Sequence, residues 1–269
     1  MNPKRMFAIT RVGIMSSLHF RLGIFVTLFA NLIYLVLVYY LWKAIYASSG
    51  TDVVNGMTFS DTMIYLILAT ALFNFLEMFV FWDMSRSIQS GKIVLDLLKP
   101  MRFRKYTFWT YSGNHVVQFV LTFIPTFIVV MIVTGGAIKL GLNLLWFIIA
   151  TVFALLLNYN IEMLVAPICL FTESSWGINI VKETIVLLLS GATIPLAFFP
   201  EKARMVVQYL PFRAVYDIPL SILLGKSGSD TWQGLVSLFG LQIIWLIILT
   251  IAGNLFWNCA VTKITVNGG

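Results

Sequence analysis

LGIFVTLFANLIYLVLVYYLW, Leu22 to Trp42, runs for 21 residues without a charge. A helix rises about 1.5 Å per residue, so roughly 20 residues cross a hydrocarbon core of about 30 Å. This run alone predicts a membrane span. Lys4, Arg5, Arg11 and Arg21 stand before it, as basic residues do in a secretory signal. A signal core, however, is about 7 to 15 residues long, and no small-x-small cleavage site follows here. The run is therefore read as a retained span.

Working outward, five further stretches meet or approach the same length: Thr62 to Trp82, Tyr111 to Thr134, Leu142 to Phe171, Thr184 to Phe199 and Leu235 to Trp257. The fourth span (142–171) is long enough to tilt. The fifth (184–199) is short and contains Pro195, which removes a backbone donor. Of 269 residues, 59% are hydrophobic and 11% charged, against about 45–50% apolar and 25% charged in soluble domains. The expected fold is all-α: one polytopic transmembrane domain over residues 1–269, with six spans and no separate catalytic domain.

The net charge of +7 is assigned to lipid headgroups rather than nucleic acid, because Lys and Arg collect on the cytoplasmic flanks of spans. With the N-terminus inside, twelve Lys and Arg fall on the cytoplasmic side, including Arg104, Lys105, Lys182 and Lys263. Six, including Lys43, Lys139 and Lys226, fall on the other. Both termini are expected in the cytoplasm. Tyr39, Tyr40 and Trp42 at the end of the first span, Trp82 at the end of the second and Trp109 before the third fit headgroup-level aromatics, and equally fit ordinary packing. Cys169 and Cys259 lie inside apolar runs, which argues for packing rather than a disulfide.

Three ionisable residues fall inside these spans: Glu77, His115 and Glu162. A charge at the bilayer centre costs about 2.5–3.5 kcal/mol on insertion scales, so each must find water, a partner or a proton. Glu77 is close enough to Trp82 to reach the interface. Asn158 and Glu162 share one helical face, and His115 and Gln118 are spaced by three. These five residues are candidates either for a polar pathway or for interhelical hydrogen bonds, the second being the commoner use.

The loop after the second span reads Ser90-Gly91-Lys92-Ile93-Val94-Leu95-Asp96-Leu97-Leu98-Lys99-Pro100. Between Gly91 and Pro100, the residues Ile93, Val94, Leu97 and Leu98 make one apolar helical stripe beside Lys92, Asp96 and Lys99. Pattern alone serves a helix lying on lipid and a helix docking into a partner's groove equally well.

Six spans, this Ser-Gly…Asp-x-Leu-x-Pro stretch and the later Phe198-Phe199-Pro200 and Leu210-Pro211-Phe212 elements resemble the ABC type 2 permeases over nearly the whole chain. The resemblance implies a coupling helix at Gly91, Ile93, Val94, Asp96, Leu97, Leu98 and Pro100 that docks on a cytoplasmic ATP-binding subunit. It implies two copies of that subunit, which carry ATP and Mg, and a second permease copy or related permease. It also implies short re-entrant extracytoplasmic helices between spans five and six, with Pro195, Phe198, Phe199, Pro200, Pro211 and Phe212 as candidate gate residues. Prolines at 195, 200, 211 and 219 preclude one continuous helix there, while the pieces between them are too apolar for a solvated loop. A structural cap satisfies the same constraints.

Gly225-Lys226-Ser227 lacks the earlier glycine of a phosphate-binding loop, since position 220 is Leu220. Two histidines and no His-Glu-x-x-His spacing give no support to a metal centre. The expectation is a permease subunit, without cofactor of its own, exporting a hydrophobic or amphipathic molecule such as a drug, peptide or lipid-linked compound across a bacterial plasma membrane. A membrane-embedded lipid-modifying enzyme using Glu162 or His115, and a non-catalytic membrane scaffold, are the alternatives.

Overall fold

Lipid offers no hydrogen-bond partners, so an apolar chain at membrane depth pairs its own backbone, and a helix does this within one segment. The computed structural model describes residues 3–19, 21–136, 138, 141–172, 175–226 and 228–262. Lys139, Ser227 and Lys263 lie outside them. Among the described residues, five helical stretches are long and apolar enough to cross a membrane: Phe25–Ser49, Phe59–Gln89, Phe103–Val133, Leu142–Leu170 and Trp232–Val261.

The chain begins with α1 (Pro3–His19), which buries none of its residues, and α2 (Arg21–Ser49). A hairpin of β1 (Val53–Val54) and β2 (Met57–Thr58) turns on Asn55 and Gly56, whose φ angles are 51° and 78°. Asn-Gly is the favoured sequence for such a two-residue turn. Thr58 then caps α3 (Phe59–Leu76) by accepting from the Asp61 amide at 3.1 Å, while Asp61 accepts from the Thr58 amide at 3.3 Å.

Span two does not run through. It stops at Leu76, leaves Glu77, Met78 and Phe79 non-helical, and resumes as α4 (Val80–Gln89). Gly91, at φ 70°, ends α4 in the left-handed conformation that suits glycine. The single turn α5 (Ile93–Leu97) follows. Span three joins α6 (Phe103–Gln118) to α7 (Ile124–Val133) through a π-helical turn at Phe119–Phe123. Pro125, at the start of α7, has no N–H for the preceding turn, which accounts for the widened ring. Span four is α8 (Leu142–Val165), continued by a 3₁₀ turn at Ala166–Leu170.

The expected fifth span, 184–199, takes a different form. Its helix is α9 (Ser175–Leu189), which starts and stops earlier. Fifteen residues reach about 22 Å, short of a hydrocarbon core of about 30 Å. Lys182, expected as a cytoplasmic flanking charge, is instead 8% exposed inside α9. Pro195 lies beyond that helix and opens a 3₁₀ turn, Leu196–Phe198; Pro200 precedes α10 (Glu201–Val207). The short helix α11 (Asp217–Leu223) is buried along its whole length and packs on α8. The last span, α12 (Trp232–Val261), crosses beside α8.

Helices extend past the expected boundaries elsewhere too. Trp42 lies within α2, 5% exposed, with its ring 4.5 Å from that of Phe198, so it packs against protein. Trp82 and Trp109 likewise lie inside helices. Cys169 is buried, as a packing role requires, whereas Cys259 is exposed on α12.

Buried apolar side chains form two clusters. One gathers α3 through Phe75 and Leu76 with α8, α11 and α12. The other gathers Met78, Val80, Phe81 and Met84 with Ile93, Tyr159, Met163 and Trp257. The boundary between them on span two falls at the interruption. α1 lies against α6 at Gly13 and Gly113, where a Cβ on Gly113 would stand 2.4 Å from the Thr10 carbonyl oxygen.

Candidate functional site

A helix that breaks at membrane depth strands carbonyls on one side and amides on the other, and neighbouring side chains must take them up. Three of the sequence-predicted polar residues converge on this task. The Nδ1 of His115, on α6, is 2.7 Å from the carbonyl oxygen of Phe75. Because a carbonyl only accepts, this nitrogen carries the proton. Asn158 Nδ2, on α8, donates to the carbonyl of Leu76 at 2.7 Å. One turn later on the same face, Glu162 Oε2 accepts from the amide of Phe81 at 3.2 Å. Glu77 itself caps α3, its amide donating to the Phe73 carbonyl at 2.8 Å.

The second oxygen of Glu162 is held by Lys182 of α9, whose ammonium donates to Oε1. Both side chains are less than a tenth exposed, at 6% and 7%. An ion pair this deep is tolerated because the carboxylate is further satisfied by a backbone amide. Glu77 and Glu183 border the same recess of about 40 Å³ with Tyr216. Asn179 donates to Glu183 at 2.6 Å, while its own carbonyl oxygen, like the His115 Nε2, is buried without a partner. Gln118 does not join His115; the Gln118 backbone carbonyl instead accepts from the Thr122 hydroxyl. Lys182 is the member that sequence reasoning missed, having been counted as a flanking charge.

At the α5 end of the bundle, the expected apolar stripe divides between two surroundings. Ile93 is buried among Phe81 and Met84, with Val94 and Leu97 packed against the same cluster. Leu98, the fourth residue of the stripe, is 75% exposed, and Leu95, outside the stripe, is 63% exposed. Asp96 and Lys99 pair at 2.6 Å, and the Lys99 ammonium lies 3.8 Å from the Tyr106 ring centroid. Burial lowers the proton affinity of Lys99, but its bonds to Asp96 and Tyr106 outweigh this and raise it above the usual lysine value. Gly91 and Pro100 are exposed at the two ends of the segment. Beside α5 opens a groove of about 390 Å³, lined in part by Asp83, Arg86, Lys92 and Asp96. Asp83 accepts from Arg86 at 2.5 Å and from the Tyr111 hydroxyl.

At the opposite end of span two, a cavity of about 450 Å³ is lined by Tyr65, Pro195, Arg204, Arg213 and Asp217 among others. Asp217 accepts from Arg213 at 2.8 Å and from Tyr65 at 3.3 Å. Of the candidate gate residues, Pro195 lines this cavity. Phe198 and Phe212 pack on the main apolar cluster, Pro211 is buried, Phe199 is half-buried and Pro200 is exposed. Gln242 of α12 ties the region to α8, donating to the carbonyls of Ala214 at 2.9 Å and Ala150 at 3.1 Å.

Among the described residues, no group of three or more His, Cys, Asp and Glu could hold a metal ion. A family model described as ABC-2 family transporter protein matches residues 32–268. No curated protein matches the chain.

Proposed function

Because the chain belongs to the ABC-2 transporter family, whose membrane component is not itself catalytic, we propose that it is the permease subunit of an ATP-driven exporter. In this reading, two copies of a cytoplasmic ATP-binding subunit bind ATP and Mg and drive a pair formed with a second permease copy or a related one. The cargo is hydrophobic or amphipathic, a drug, peptide or lipid-linked molecule, since the spans offer few polar groups to line a wide aqueous path. Both termini face the cytoplasm, the membrane is a bacterial plasma membrane, and α9 with the 3₁₀ turn after it supplies the sixth crossing, with α10 and α11 as an extracytoplasmic cap.

One observation carries the coupling role. α5 is fixed to the bundle by buried Ile93 while Leu95 and Leu98 project from it uncovered, next to a charged groove. An anchored single turn with bare leucines transmits a push from a partner into span two. The test is co-purification of the full chain with a candidate ATP-binding subunit. Leu98→Asp should abolish assembly or coupled ATP hydrolysis and leave the melting temperature of the permease unchanged. Undiminished coupling in that variant overturns the docking role.

A further inference from the structure

The first turn of α6 faces the last turns of α12 across a cavity of about 990 Å³. Its walls carry Arg102, Arg104 and Lys105 and, among the described residues, no carboxylate. Arg104 is half-buried and sits deepest. Its Nη1 is 2.5 Å from Asn254 Oδ1 and 3.4 Å from the Thr250 carbonyl, and its Nη2 is 2.7 Å from Asn160 Oδ1. Gly253 permits this seating, since a Cβ there would meet the guanidinium at 3.2 Å.

These three acceptors are neutral. They aim a guanidinium that has five N–H donors, and they leave its charge uncompensated. No ion pair joins Arg102, Arg104 or Lys105 to any described residue. Much of the remaining wall is apolar and aromatic, with Asn258 the polar exception: Phe103 and Trp257 stack at 4.6 Å, with Phe108 and Leu156 beside them. A fixed guanidinium, two further cations and an adjoining greasy wall match a phosphate attached to acyl chains.

We infer that this groove binds the phosphate headgroup of an anionic phospholipid, with Arg104 holding the phosphate, Arg102 and Lys105 adding attraction, and the acyl chains lying along Phe103, Phe108 and Leu156. The inference rests on membrane residence and is independent of transport direction and of any ATP-binding partner.

The full chain is reconstituted with spin-labelled phosphatidylglycerol or phosphatidylcholine, and the immobilised fraction of each is compared. Wild type should hold phosphatidylglycerol preferentially, Arg104→Gln should lose that preference, and Arg104→Lys should recover part of it. Arg104→Gln also removes contacts to α8 and α12, so the Arg102→Gln/Lys105→Gln double variant provides an arm outside that packing. It should weaken the preference with an unchanged melting temperature. Equal retention of the two lipids by wild type, or an undiminished preference in both charge-removal variants, overturns the site. Displacement of the label by inorganic phosphate as readily as by unlabelled phosphatidylglycerol overturns the lipid as its occupant and leaves a free-anion site instead.

Discussion

The side-chain amide of Asn158 donates at 2.7 Å to the carbonyl of Leu76, the last helical residue before span two breaks. The carbonyl is buried and the helix no longer supplies an amide to it. Asn158→Leu keeps the volume and removes the donor. It should destabilise the protein by about 1–3 kcal/mol, the usual cost of an unpaired buried polar group, measured by denaturant unfolding in mixed micelles. A loss well under 0.5 kcal/mol would show that another group takes up the Leu76 carbonyl.

Lys182 and Glu162 form the buried pair that closes the same site. Removing one partner leaves the other charged and unmatched, at a cost of roughly 3–5 kcal/mol. Lys182→Met should therefore be severely destabilising, and Lys182→Met combined with Glu162→Gln should be more stable than Lys182→Met alone. Unfolding free energies of the four proteins in the cycle give the coupling; additivity would rule out a direct pair.

The α5 turn provides an internal contrast. Ile93 is 3% exposed in the second apolar cluster, so Ile93→Ala should lose about 2–5 kcal/mol. Leu95→Ala and Leu98→Ala, at exposed positions, should stay within about 0.5 kcal/mol of wild type. Thermal melts of the purified permease separate the two groups. Equal losses at all three positions would mean that α5 is covered on both faces.

Where α1 crosses α6, a Cβ on Gly13 would stand 2.6 Å from the Thr110 carbonyl oxygen, and one on Gly113 would stand 2.5 Å from the Ile14 amide nitrogen. The backbones have no room to give. Gly113→Leu should push α1 off the bundle at about 1–3 kcal/mol. It should also abolish crosslinking between cysteines placed at Ser17 and Asn114, whose side chains hydrogen-bond at 3.1 Å. Retained crosslinking would mean that α1 can repack around the added side chain.

The helical membrane class was legible in Leu22 to Trp42 alone, because length without charge is a one-dimensional property. His115, Asn158 and Glu162 were also recognisable as residues needing partners. Their shared object was not, since Glu77, Met78 and Phe79 contain neither Gly nor Pro and nothing in their pattern marks a broken helix. Lys182 misled for a related reason: a lysine reads as a flank until its carboxylate, 20 residues earlier on another helix, is brought to it by folding. The expected span 184–199 inherited that error. By contrast, the β1–β2 hairpin had a readable signal in Asn55-Gly56 that the search for spans passed over.

The interruption of span two has a mechanical consequence. α3 belongs to one packed unit and α4 with α5 to another, and what crosses between them at residues 77–79 is a strip of chain steadied from outside by an imidazole, an amide and a carboxylate. A continuous helix resists bending along its whole ladder of bonds. Here the compliance is concentrated at one joint, and its stiffness is set by three side chains that single substitutions can retune without altering either rigid arm.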